Sequence, residues 1–166
     1  MLFRSCRDLN LDPKRYPPKQ MQAMISNAKN ELLGPMDYLN STTNQFQQVV
    51  ADVYALYQKR LTQANSMDFD DLILKTVEVL QRFPESKAKL RSRFRHILVD
   101  EYQDTNHAQY VLVKELVGTE EEGISPAELC VVGDADQSIY GFRGATIRNI
   151  LQFEMDYPAE IGRAHV

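Results

Sequence analysis

The stretch "HILVDEYQDTN", residues 96–106, decides the fold: three apolar residues run straight into two adjacent acids, Asp100 and Glu101, with a further acid at Asp104. A short apolar run bounded by polar residues reads as a buried strand, and the sequence on its far side supports that reading. From about 106 to 117 the apolar residues take helical spacing, and a second run, "LCVV" at 129–132, reads as strand again. Strand, helix, strand with continuous apolar strands is the pattern of a parallel sheet buried on both faces. In such sheets ligands bind outside the carboxyl ends of the strands. Both acidic motifs lie there, Asp100-Glu101 after the first strand and Gly133-Asp134 after the second.

Working upstream, the pattern is helical. "NSMDFDDLILKTVEVLQRF" (65–83) opens with Ser66 or Asp68 as a cap, carries Leu72, Ile73, Thr76, Val77 and Leu80 on an inward face, and is stopped by Pro84. A shorter helix is expected over 85–93. Before these, Phe46, Val49, Val50, Val53, Leu56, Tyr57 and Leu61 mark one face of a long amphipathic helix from about Thr43 to Ala64. Another helix follows Pro18, with Met21, Met24, Ile25, Ala28, Leu32 and Leu33 near helical spacing and Gly34-Pro35 closing it. The first twenty residues, punctuated by Pro13, Pro17 and Pro18, are expected to form a connection with little regular structure. The chain thus reads as an all-helical part, residues 1–65, joined to part of an α/β domain, residues 66–158.

Composition narrows the class. With 166 residues, 43% hydrophobic and 25% charged, the chain can bury a core and is neither disordered nor fibrous. No apolar run approaches the ~20 residues that cross a bilayer, and the charged N-terminus does not read as a secretory signal. A reducing compartment is therefore expected, with Cys6 and Cys130 as ordinary thiols and no structural zinc site. A net charge of −4 excludes a general basic coat for nucleic acid. The run "KAKLRSRFRH" (87–96) leaves two readings open, a local phosphate contact or the exposed end of a helix leading into a strand.

Paired acids at a strand end suit a phosphate-hydrolysing site, because one carboxylate can hold Mg²⁺ while its neighbour orients and deprotonates the attacking water. Alternating directions off the strand would keep the two roles apart. The same acids could instead cap the next helix. The second motif, "VVGDADQSIYGFRGA" (131–145), places Gln137 to sense a phosphate and sets Tyr140, Phe142 and Arg143 among glycines. Aromatics beside an Arg make a platform for unpaired bases, each stacked base being worth roughly 1–3 kcal/mol, although any one of them could equally be core.

"ILVDEYQDTN" and "VVGDADQSIYGFRGA" resemble motifs II and III of the UvrD/PcrA/Rep group of superfamily 1 DNA helicases, and "MDFDDLI" (67–73) resembles a further motif of that group. The similarity runs over residues 8–158. The resemblance implies a partial P-loop NTPase (RecA-like) parallel sheet preceded by a helical insertion subdomain. It implies that Asp100 binds Mg²⁺, that Glu101 is the general base toward the water attacking the γ-phosphate of ATP, and that Gln103, Asp104 and Asp134 support the site. Gln137 would report the γ-phosphate to the DNA surface, and Tyr140, Phe142 and Arg143 would lie along single-stranded DNA. Phe142 stands where many relatives have Trp, so weaker stacking is expected. The implied parent is a cytoplasmic, nucleoid-associated 3′–5′ helicase that works on single strands and on single/double-strand junctions, with repair or replication proteins as partners and no membrane.

A motor of this class also needs a G-x-x-x-x-G-K-[ST] loop to cradle the nucleotide phosphates, and the sequence has none. The second RecA-like domain, whose arginines stabilise the transition state, is missing too. The chain by itself is therefore expected to be inactive. "EIGRAHV" (160–166) matches the translation of a sequencing adapter and is expected to be non-native. Two function classes remain in view: a piece of an ATP-dependent helicase, plain or fused to a nuclease, and a non-catalytic module binding single-stranded DNA or a protein.

Overall fold

The first twenty residues, expected to lack regular structure, begin with a helix, α1 (Leu2–Asp8). The computed structural model describes residues 1–119, 125–134, 137, 152–153 and 155–156. Tyr140, Phe142, Arg143 and the 160–166 tail lie outside them. The chain divides into two units, Met1–Glu78 and Val79–Val166.

In the first unit, α1 is followed by α2 (Pro18–Asn30), α3 (Pro35–Asn40), α4 (Gln45–Gln63) and the start of α5 (Phe69–Arg82). A seven-residue helix is too short to hold itself in water. Burial forms α1 instead: Leu2, Ser5 and Cys6 face inward, and Arg60 of α4 donates to Ser5 Oγ at 3.0 Å and pairs with Asp8. Its three buried positions sit among charged neighbours, which is why no stripe is visible in the sequence. The core collects Leu2, Cys6, Tyr16, Met21, Ile25, Ala28, Val50, Val53 and Tyr54, so the stripe expected on the long helix is core.

Helix ends in this unit depart from expectation in one informative way. Gly34 was expected to close α2, yet α2 ends at Asn30 and Leu32 takes the left-handed conformation at φ 58°. Leu33 N–H donates to Ala28 O at 2.9 Å and Leu32 N–H to Lys29 O at 2.9 Å. That pair of bonds is a Schellman ending, a place usually held by Gly. Asn10 ends α1 and Asn65 ends α4 in the same manner, at φ 51° and 46°. Gly34-Pro35 opens a helix instead: Pro35 is the first residue of α3, and Asp37 accepts from the Gly34 amide at 3.2 Å.

One lysine of this unit is fully buried. Lys29 Nζ lies 2.7 Å from Asp68 Oδ2 and 2.9 Å from Asp71 Oδ1, and its side chain has 0% exposure. Around it, Tyr57 donates to Asp68 at 2.9 Å, Gln58 donates to both oxygens of Asp71 at 3.1 Å, and the Asp71 amide donates to Asp68 Oδ1 at 2.8 Å. The rings of Tyr54 and Tyr57 stand 5.8 and 5.3 Å from the ammonium. Burial, and then the two carboxylates, push both tyrosine hydroxyls well above their ordinary range. The "MDFDD" motif thereby anchors the first turn of α5 to α2 and α4, while Phe69 between the acids is left 89% exposed.

The second unit continues with α6 (Pro84–Arg93), β1 (His96–Val99), α7 (His107–Val117) and β2 (Glu128–Val131). The strands pair in parallel, with His96 opposite Glu128 and Val99 opposite Val131. The expected parallel pair is present. Burial on both faces is not, for the strands alternate exposed and half-buried residues and Leu98 is 79% exposed. Among the described residues, nothing covers that face.

The basic run at 87–96 is largely engaged within the unit. Lys87 pairs with Glu115 at 2.7 Å, Arg91 is buried and donates to the Glu115 carbonyl at 2.8 Å, and Arg95 donates to the carbonyls of Ser125 and Pro126 at 2.6 and 3.0 Å. Three of its five cations therefore tie α6 and β1 to α7 and to the segment entering β2.

Candidate active site

The carboxyl ends of β1 and β2 are joined by a short relay of backbone bonds. Val132 N–H donates to Val99 O at 2.8 Å and Tyr102 N–H to Val132 O at 2.9 Å, so the turn after β1 folds back over the end of β2. Tyr102 is buried with its ring 5.4 Å from Phe153, and it pins that turn to the unit.

Asp100 follows β1 and is exposed; its Oδ1 accepts from the Glu101 amide at 2.9 Å. Glu101 does not continue the strand. Its backbone is left-handed, at φ 50° and ψ 43°, and opens the 3₁₀ turn Tyr102–Asp104. The two acids are set apart by this reversal, not by the strand alternation expected from the sequence. A non-glycine residue held there costs of order 1–3 kcal/mol, and such residues concentrate at functional sites. Asp104 ends the 3₁₀ turn, exposed.

The capping alternative fails. α7 is capped by Asn106, whose side chain accepts from the Gln109 amide at 3.0 Å while Gln109 accepts from the Asn106 amide at 2.9 Å. This is a complete capping box, and it leaves Asp100 and Glu101 outside the helix start.

Gln103 is 2% exposed and bridges the two strand ends. Its Nε2 donates to Glu101 Oε2 at 2.5 Å, and its Oε1 accepts from the Asp134 amide at 3.0 Å. Asp134 in turn holds Gln137: Gln137 Nε2 donates to Asp134 Oδ2 at 2.8 Å and Gln137 N–H to Asp134 O at 3.1 Å. Glu101, Gln103, Asp134 and Gln137 thus form one hydrogen-bonded chain, with Asp100 bonded to Glu101 at its start.

What sequence reading missed is why Gly133 stands in this chain. A Cβ there would lie 2.8 Å from Gln103 Oε1, 3.1 Å from Tyr102 Cβ and 3.2 Å from Tyr102 N. A glycine directly after an apolar strand is the available signal for such an approach. Gly133→Ala is expected to displace Gln103 from the Asp134 amide and to destabilise the second unit by about 1–3 kcal/mol, read as a lower denaturant midpoint.

A family model, the UvrD/REP helicase N-terminal domain, matches residues 1–158. The chain belongs to the UvrD/REP helicase family. It is 62% identical over 156 residues to ATP-dependent DNA helicase UvrD1 of Mycobacterium tuberculosis (strain ATCC 25618 / H37Rv), a match that covers 92% of this chain and 20% of that protein. It is 50% identical over 152 residues to ATP-dependent DNA helicase PcrA of Bacillus subtilis (strain 168), with the same coverage. The chain therefore spans about one-fifth of the length of these UvrD/REP relatives. The "DEYQD" acids and Asp134 are brought to one sheet end, whereas Tyr140, Phe142 and Arg143 fall outside the described residues. Among the described residues, no helix is long and apolar enough to cross a membrane.

Proposed function

We propose that this chain is one wall of the nucleotide site of an ATP-dependent DNA helicase that moves 3′ to 5′ along single strands and unwinds duplex during repair or replication. The observation that carries it is the bonded chain from Glu101 through Gln103 and Asp134 to Gln137, with Glu101 held left-handed at the carboxyl end of a parallel strand. Residues 66–158 are the C-terminal part of a P-loop, RecA-like motor domain, and residues 1–65 belong to its helical insertion.

Glu101 is the general base: its carboxylate is exposed, oriented by Gln103 and free of the helix cap. Asp100 fits a magnesium ligand. Its carboxylate is exposed at the carboxyl end of β1, beside Glu101, and magnesium is ordinarily held by one or two carboxylates together with water and substrate phosphates. When bound there, Mg²⁺ would offset charge on the transferring phosphoryl group. Gln137, tethered to Asp134, senses the γ-phosphate, and Asp104 and Asp134 support the site. Tyr140, Phe142 and Arg143 take single-stranded DNA.

The test is made on the full-length protein. It is expected to hydrolyse ATP faster with single-stranded DNA present and to unwind a duplex with a 3′ tail in preference to one with a 5′ tail. This chain alone, lacking a phosphate-cradling loop, is expected to show no Mg²⁺-dependent binding of a fluorescent ATP analogue. A 5′ preference overturns the polarity, and tight binding by the chain alone overturns the need for the loop.

A further inference from the structure

We propose that Gln103 is a positioning residue that couples the Glu101 carboxylate to the Asp134–Gln137 turn, so that the water-activating group and the phosphate-sensing group move as one. This rests on the reading of Glu101 as the general base. The Gln103 side chain is bonded to both strand-end motifs: a donor to Glu101 at 2.5 Å and an acceptor from the Asp134 amide at 3.0 Å. Two features make the link stiff. Gln103 is 2% exposed, so water does not compete for its amide, and Gly133 brings the second turn so close that its missing Cβ would sit 2.8 Å from Gln103 Oε1.

The link also has a direction. An amide reads its two partners differently, since its nitrogen can only donate and its oxygen can only accept. Glu101 is bonded in its acceptor form, which keeps the carboxylate available to take a proton from water. A shift of the Gln137 turn pulls the Asp134 amide, then Gln103, then the Glu101 carboxylate. Because a displacement of about 1 Å at a reacting group can cost ~10²-fold in rate, a small movement of that turn is enough to switch hydrolysis.

The experiment compares Gln103→Glu and Gln103→Met in the full-length protein. Glutamate keeps the acceptor for the Asp134 amide and loses the donor to Glu101; methionine has similar length and makes neither bond. Both are expected to lower kcat for DNA-stimulated ATP hydrolysis by ~10²-fold while KM for ATP stays within about twofold, a split that general collapse of the site would not give. If Gln103→Glu fails to fold, Gln103→Met carries the test. In a cycle with Gln137→Ala, the double variant is expected to lose no more than the worse single variant. Losses that multiply overturn the coupling, and so does a KM that rises as kcat falls. Wild-type rates in both Gln103 variants, alongside a slow Glu101→Gln protein, overturn the inference alone. Wild-type rates in all three overturn it together with the assignment of Glu101.

Discussion

Glu101→Gln in the full-length protein is expected to slow DNA-stimulated ATP hydrolysis by ~10²–10⁴-fold, the usual contribution of a positioned general base. The substitution isolates that function. Glutamine has the same length, retains one side-chain oxygen to accept from Gln103 Nε2, and imposes no new demand on the left-handed backbone at φ 50°. Only the ability to take a proton from water is removed. Nucleotide affinity should therefore hold within about twofold, because an interaction made only in the transition state leaves ground-state binding alone. Steady-state ATPase rates beside a nucleotide titration make the measurement. An ATPase rate equal to wild type overturns the role given to Glu101.

Removing the buried ammonium with Lys29→Met should have the largest effect on stability. Asp71 is 1% exposed and Asp68 sits beside it, so the variant leaves two carboxylates sharing a buried site with no cation. Breaking a buried pair from one side typically costs roughly 3–5 kcal/mol. Amide exchange in α2 and in the first turn of α5 should accelerate by about two to four orders of magnitude, at ~1.4 kcal/mol per decade. Neutralising the partners as well, with Asp68→Asn and Asp71→Asn, should recover most of that loss, since a matched neutral set leaves no orphaned charge. Exchange that stays at the wild-type rate in Lys29→Met would mean that the ion cluster is not what anchors α5.

The same cluster sets an acid limit. Burial alone would raise the Asp68 carboxyl, but the Lys29 ammonium, the Asp71 amide and the Tyr57 hydroxyl together hold it below its ordinary value near 3.8. A carboxyl depressed on folding binds fewer protons in the native state, so its contribution is full above the ordinary aspartate range and disappears as pH falls through the lower folded value. Protection at the start of α5 should therefore decline below about pH 4 in the wild-type protein, and the decline should be absent in Asp68→Asn.

Much of the fold was legible because its signals are local. "HILV" and "LCVV" have no polar interruption after the leading residues, and the parallel pairing follows from the helix between them. The acids were legible for the same reason, since their place at a strand end is fixed by chain order. What was not legible depends on tertiary contact. α1 is helical because Arg60 and the core receive it, and Arg60 is more than fifty positions away. Leu32 ends α2 left-handed, a role no propensity assigns to leucine. Lys29 reads as an ordinary surface cation until Asp68 and Asp71 are seen folded over it. The left-handed turn at Glu101 is in the same class: alternation along a strand was the natural expectation, and a backbone reversal that folds Tyr102 onto the end of β2 stands in its place.

The separation of Lys29 from its acids also sets a schedule for synthesis. Asp68 lies 39 positions after Lys29, and at 5–20 residues per second the ribosome reaches it about 2–8 s later. During that interval the nascent α1–α4 segment carries an ammonium that cannot leave water, so its interior cannot close dry around Tyr54 and Tyr57. The acids of "MDFDD" arrive as the last element of this unit, and the helices before them wait on that motif to seal.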